Sequence, residues 1–166
     1  MTPPDPTRNA QTEIICRYYN GCSAGDLGLM QATLHPDVVH YFLAPNVGSR
    51  PVAGREHLAR YWRKVARAID ARWVVERSVA MGREAAVEWT MFWTPPGTSG
   101  RIVTRGSEWF IFEDDLIREI RSYHQQRDDQ STELEGFSYA ERGYSHAGEE
   151  RSALHPEATD FSPEAT

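Results

Sequence analysis

A chain of 166 residues with 40% apolar side chains has the size of one domain and enough apolar surface for an ordinary core. It contains no run of eighteen apolar residues, and its start, MTPPDPTRNAQTE, lacks a basic stretch followed by an apolar one, so neither a membrane span nor a signal peptide is expected and a cytoplasmic location is. The net charge of −6 is uneven: residues 125–166 hold ten acids and three arginines, against 14 acids and 15 basic residues before them, which leaves no basic footprint for nucleic acid.

Residues 1–11 are polar and proline-rich and read as a flexible arm. A first helix is predicted from Thr12 to Ala24, with Ile15, Tyr19 and Cys22 on one stripe and Ile14 and Tyr18 beside it. Cys16 and Cys22, six apart on this helix, point to different faces and cannot bridge each other, so they read as buried thiols. Gly25 suits the left-handed position that ends a helix, and Asp26 suits the N-cap of a second, short helix that runs through Leu34 and stops at Pro36.

Asp37 to Ala44, DVVHYFLA, is β-branched and aromatic and predicts a strand, followed by a turn-rich loop, PNVGSRPVAG. Leu58, Tyr61, Trp62, Val65 and Ile69 then recur at helical spacing, with Arg60, Arg63, Lys64 and Arg67 on the solvated side. Four strands are predicted next, Arg72–Met81, Glu84–Thr94, Arg101–Glu113 and Leu116–His124; their short connections make them antiparallel. The result is an α+β domain over residues 12–124 with helices covering one sheet face. Leu134, Phe137, Tyr139 and Tyr144 make residues 125–144 too apolar for a free linker and predict a docking extension, whereas residues 145–166 have the composition of a disordered acidic tail.

This order of elements, with RYYNGCSAGDL in the first helix and EWFIFEDDLIREIRSYH over the last two strands, resembles the nuclear transport factor 2-like superfamily and, within it, the SnoaL-like and ketosteroid-isomerase-like branches. The resemblance implies a cone-shaped α+β barrel, a curved antiparallel sheet packed on three helices of the N-terminal half, enclosing a pocket for a hydrophobic small molecule, and a homodimer built through the sheet. It also implies roles for particular side chains. In ketosteroid isomerases a tyrosine of the first helix and a protonated Asp of the fourth strand donate to the oxyanion of a dienolate; the matching positions are Tyr18 and Glu108. Glu108 stands among Trp109, Phe110 and Phe112, where burial would raise its pKa.

The general base of those isomerases is an Asp on the first strand, and an ungapped count from Asp37 puts Phe42 there, which accepts no proton. His40 lies two residues away on the same strand face and is the replacement base expected. In SnoaL-like cyclases the acid/base Asp falls on the last strand, where this chain has Ser122, with His124 one step further along the same face. Phe42, Trp62, Trp89, Met91, Phe110, Ser122 and His124 are therefore the expected substrate contacts. Each residue has a structural alternative: Tyr18 and the Trp and Met row as core, His40 bonded to a carbonyl, and Glu108 paired across the sheet with Arg101, Arg105 or Arg118.

His35 and His40 lack further ligands at metal spacing, and no phosphate loop, dinucleotide fingerprint or serine-hydrolase elbow is present, so neither metal nor cofactor is expected. The functional expectation is a cofactor-free enzyme that moves a proton next to a carbonyl of a hydrophobic cyclic substrate, as an isomerase, dehydratase or cyclase does. The alternatives are a non-catalytic ligand-binding or dimerisation module, and an epoxide hydrolase using Glu108 with Arg105 or Asn46.

Overall fold

A computed structural model describes residues 9–46, 48–126 and 130–152. Its elements are helices α1 (Ala10–Ala24), α2 (Leu27–Gln31) and α3 (Arg55–Ile69), and strands β1 (Leu34–Ala44), β2 (Val52–Ala53), β3 (Arg72–Met81), β4 (Glu84–Trp93), β5 (Ile102–Glu113) and β6 (Leu116–His124). The six strands form one sheet in the order β2-β1-β6-β5-β4-β3, antiparallel throughout except where β1 runs parallel to β6. The three helices cover one face, giving the cone-shaped α+β architecture that the sequence predicts. No described helix is long and apolar enough to cross a membrane.

Local chemistry explains the helix limits. The Asn9 side chain accepts a hydrogen bond from Thr12 N at 2.8 Å and starts α1, and Gly25, at φ 65°, ends it. Asp26 Oδ1 accepts from Leu29 N at 2.9 Å and starts α2 within one turn of chain. The first two helices can pack closely because residue 21 is glycine: a Cβ there would lie 2.9 Å from Met30 N.

Two expectations about local structure are corrected. The second helix ends at Gln31 rather than Leu34, and the strand begins at Leu34, because Leu34 pairs with Ile117 in the sheet. Pro36 thus lies inside β1. It is tolerated there because the ladder to β6 is irregular between Leu34 and Val39, and β2 pairs only with Val39 and His40 on the other side. The loop PNVGSRPVAG contains that two-residue strand β2. Elsewhere the predicted strands agree with the observed ones to within a residue at their ends.

Pairing fixes which residues share a face. Val87 stands opposite Glu108, Glu108 opposite Ser122 and Trp89 opposite Gly106, all on the face beneath the helices. Glu88, Thr90, Arg105, Ser107, Trp109 and Tyr123 point to the outer face. Most of the core lies between the helices and the inner face, where Ile15, Met30, Leu34, Leu58, Phe110, Ile117 and Ile120 are fully buried.

Residues 130–152 run along the outer face. Val103 N donates to Ser131 Oγ and Thr132 N to Val103 O, both at 3.1 Å, continuing the ladder of β5 past the end of β6. Arg105 Nη1 donates to Thr90 Oγ1 at 2.7 Å and to Ser145 O at 2.8 Å, while Arg105 Nη2 pairs with Glu133. Buried Glu76 accepts from Thr90 Oγ1 and from Ser145 N, at 2.6 and 3.0 Å. Ser145 and Ser152, expected in a disordered tail, are buried against the sheet: the Ser145 backbone serves Glu76 and Arg105, and the Ser152 hydroxyl donates to Val75 O. Residues 1–8 of the expected arm and 153–166 of the expected tail lie outside the described residues.

Candidate active site

A cavity of about 210 Å³ opens between α1, α3 and the inner sheet face. Tyr18, Tyr19 and Cys22 reach it from α1, Tyr61, Trp62, Val65 and Ile69 from α3, and Trp89, Met91, Glu108, Ser122 and His124 from the sheet. Its wall is mostly apolar and aromatic, the composition of a site for a hydrophobic molecule.

The polar centre is Glu108. Tyr19 Oη donates to Oε2 of Glu108, and Ser122 Oγ donates to Oε1 at 2.7 Å. His40 Nε2 hydrogen-bonds to Ser122 Oγ and lies 3.6 Å from Glu108 Oε1. Because the Ser122 proton is committed to Glu108, the His40 nitrogen facing Ser122 is assigned as the N–H tautomer, which makes buried Nδ1 an unprotonated acceptor without a partner among the described residues. The chain of donors thus runs from His40 through Ser122 to the carboxylate.

Burial sets the charge of these groups. It pushes Glu108 up to about 7, against the hydrogen bonds from Tyr19 and Ser122 that favour the ionised form. Burial and the nearby His124 push His40 down to about 3, so it is neutral at physiological pH and forms no ion pair with Glu108. The hydroxyls of Tyr18 and Tyr19 are raised well above their ordinary range, chiefly by burial, and remain protonated donors. Cys22 and Trp62 stand close enough to Tyr18 to influence its titration, but neither meets hydrogen-bond geometry with it, so its buried hydroxyl has no hydrogen-bond partner among the described residues.

The geometry brings together Tyr18, Glu108, Phe42, Trp62, Trp89, Met91, Ser122 and His124 of the expected site on one cavity. His40 and Phe110 do not line it. His40 is fully buried under Phe42, whose ring stacks on the imidazole at 4.3 Å, so it reaches the cavity only through Ser122. Phe110 lies beneath α1, its centroid 6.4 Å from Tyr18 and 6.2 Å from Tyr19, and closes the core behind those rings. The arginines considered as partners of Glu108 are engaged elsewhere: Arg101 with Asp70 and Glu150, Arg105 with Glu76 and Glu133 on the outer face, and Arg118 with Glu113. Arg105 therefore cannot assist Glu108 in orienting a water molecule.

Tyr19 is the partner of Glu108 that sequence reading missed. Its signal was present in the stripe Ile15, Tyr19, Cys22, which has the same spacing whether it faces core or cavity. For metals, His35, Glu113 and Asp114 bring ligand atoms within 4.8 Å of one another at the surface. His35 Nδ1 already accepts from Asp37 N at 3.1 Å, and Arg118 lies 3.5 Å from Glu113, so this donor set is in part occupied by the protein.

Residues 15–120 match the SnoaL-like domain family. A protein of unknown function with a cystatin-like fold from Methylobium petroleophilum PM1 is 30% identical, with TM-score 0.62, the match covering 97% of this chain and 99% of that one. An NTF2-like protein of unknown function from Mesorhizobium loti is 19% identical, covering 75% and 98%, with TM-score 0.58. An LEH-like epoxide hydrolase of M. tuberculosis is 20% identical, covering 72% and 85%, also with TM-score 0.58. No curated protein matches. The match over residues 15–120, carried on a curved sheet closed by three helices, places the chain in the SnoaL-like family of the nuclear transport factor 2-like superfamily.

Proposed function

We propose that the protein is a cofactor-free enzyme that transfers a proton next to a carbonyl of a hydrophobic cyclic substrate, with Glu108 as the general acid/base. The observation that carries this reading is a buried carboxylate on the cavity wall, raised to about 7 and held by two hydroxyl donors, beside an unpartnered tyrosine hydroxyl. A base whose pKa lies near the working pH combines a useful ionised fraction with useful basicity. His40, at about 3, is a weak base, so its role is to position Ser122 rather than to meet substrate.

In the forward step the ionised carboxylate removes a proton from the carbon beside the carbonyl. The carbonyl oxygen becomes an oxyanion, and Tyr18, whose hydroxyl remains protonated, donates a hydrogen bond to it. Protonated Glu108 then returns the proton to a second carbon, which isomerises the substrate, or to a departing hydroxyl, which dehydrates it. Trp89, Met91 and Trp62 wall off water.

Turnover of enolisable cyclic ketones should rise through a step centred near pH 7 and fall at least a hundredfold in Glu108→Gln. Tight binding of a phenolate, a stand-in for the enolate, should be lost in Tyr18→Phe. A flat pH profile together with unchanged phenolate binding would instead identify a binding module, the reading that Phe42 in place of a carboxylate favours. We also propose a homodimer through the outer sheet face, which leaves Val79, Met81 and Trp109 71%, 85% and 42% exposed in the single chain.

A further inference from the structure

Trp89, Gly106 and His124 form one row across three strands, since Trp89 on β4 pairs with Gly106 on β5, and Gly106 pairs with His124 on β6. The middle residue has no side chain, and the Trp89 indole takes the space that one would fill. A Cβ at position 106 would collide with it, Cε2 and Cη2 both being 2.7 Å away, so the ring rests on the β5 backbone and only glycine permits that seat. The His124 ring closes the other end of the row, its centroid 6.2 Å from that of Trp89.

These two rings are the side chains shared by two spaces. One is the inner cavity of about 210 Å³, and the other is an outer cleft of about 550 Å³ between the sheet and residues 134–144. Trp89 is buried, and the backbone beneath it is continuous, with Gln125 N donating to Arg105 O at 3.1 Å just past the row. The rings therefore stand as a partition between the spaces. Because the indole already rests on β5, it cannot recede to enlarge the cavity unless the strand itself moves.

The partition fixes the room available beside Glu108. A dry cavity of ~150 Å³ accommodates one benzene ring, and sites for drug-sized molecules measure ~300 to 1,000 Å³. At about 210 Å³ the inner cavity has space for one ring and its substituents. We propose that Trp89, seated over Gly106, is the size-determining residue of the site, which takes a monocyclic ketone and rejects fused-ring analogues. This inference rests on the reading of the inner cavity given above and adds the size of the substrate and the residue that limits it. The acid/base chemistry stays with Glu108.

The test measures by titration calorimetry how the full chain binds 4-nitrophenol, with one ring, and 2-hydroxyanthraquinone, with three. Wild type should prefer the one-ring phenol roughly tenfold or more, the size of effect that overpacking produces. Trp89→Ala and the milder Trp89→Leu remove the partition, so the ratio of three-ring to one-ring affinity should rise, most in the alanine variant. Trp89→Leu keeps an apolar side chain in the row and preserves the comparison if Trp89→Ala does not fold. Gly106→Ala lifts the indole off β5 into the cavity and should weaken 4-nitrophenol. Wild type that binds both phenols equally overturns the size limit alone, as does a ratio that Trp89→Leu leaves unchanged or 4-nitrophenol binding that Gly106→Ala leaves unchanged. Wild type that binds neither phenol overturns the reading of the inner cavity as well.

Discussion

Glu108 and His40 stand 3.6 Å apart, and burial moves both toward their neutral forms. Their effects on stability have opposite slopes. Glu108 is raised from 4.5 to about 7, so between those values the unfolded chain is ionised while the folded one still holds its proton. Its contribution is complete below about pH 4.5 and is lost as pH rises to about 7. Relative to Glu108→Gln, the wild type should lose about 3 kcal/mol over that interval, at about 1.4 kcal/mol per pKa unit, measured by urea unfolding at each pH. His40 is lowered from 6.5 to about 3, so its contribution is complete above 6.5 and is lost as pH falls toward 3. The two slopes oppose each other between 4.5 and 6.5, which is why the variant comparison reads Glu108 and the wild-type curve alone does not. Ser122 and Tyr19 donate to the carboxylate and favour its charge, so Ser122→Ala and Tyr19→Phe should each move the midpoint of the pH-activity profile upward from about 7. An unmoved midpoint in both would remove the positioning role of these hydroxyls.

The same contacts at the level of elements explain two glycines. Gly21 lets α1 pack on α2 at the backbone of Met30, and Gly106 lets Trp89 cross β5. Gly21→Ala and Gly106→Ala should each lower stability by roughly 1 to 3 kcal/mol, the usual cost of overpacking, seen as a fall in Tm. In Gly106→Ala the displaced indole should also change tryptophan emission. Helices α1 and α3 and strands β3 to β6 were legible because their periods of 3.6 and 2 recur over nine residues or more. The end of α2 and the start of β1 were not, because Leu34 joins the sheet through Ile117, which lies 83 residues away, and a local pattern carries no trace of that partner.

Across the whole molecule, the segment after β6 is tied to the sheet through charges that the sheet cannot satisfy alone. Glu76 is 2% exposed and raised by burial, and only Thr90, Ser145 and Arg105 oppose that shift. Arg105→Met leaves Glu76 and Glu133 without their cation and should cost about 3 to 5 kcal/mol in chemical denaturation, more than a surface pair would. The exposed Val79, Met81 and Trp109 face the same side. Sedimentation should show a species of twice 18.9 kDa that Trp109→Glu converts to monomer.

The sequence by itself determined the α+β class, the element order and the resemblance to the superfamily. It also determined most of the cavity wall, since side-chain direction along a strand or helix follows from period alone. Alternation along the last strand thus put Ser122 and His124 on one face, whereas Tyr18 and Glu108 were assigned to the site by the resemblance to ketosteroid isomerases. Only the tertiary structure decided which tyrosine meets Glu108 and that Phe42 covers His40. Those outcomes depend on how α1 is rotated over the sheet and on which rings stack, both set by packing between residues far apart in the chain, and local periodicity carries no information about such pairs.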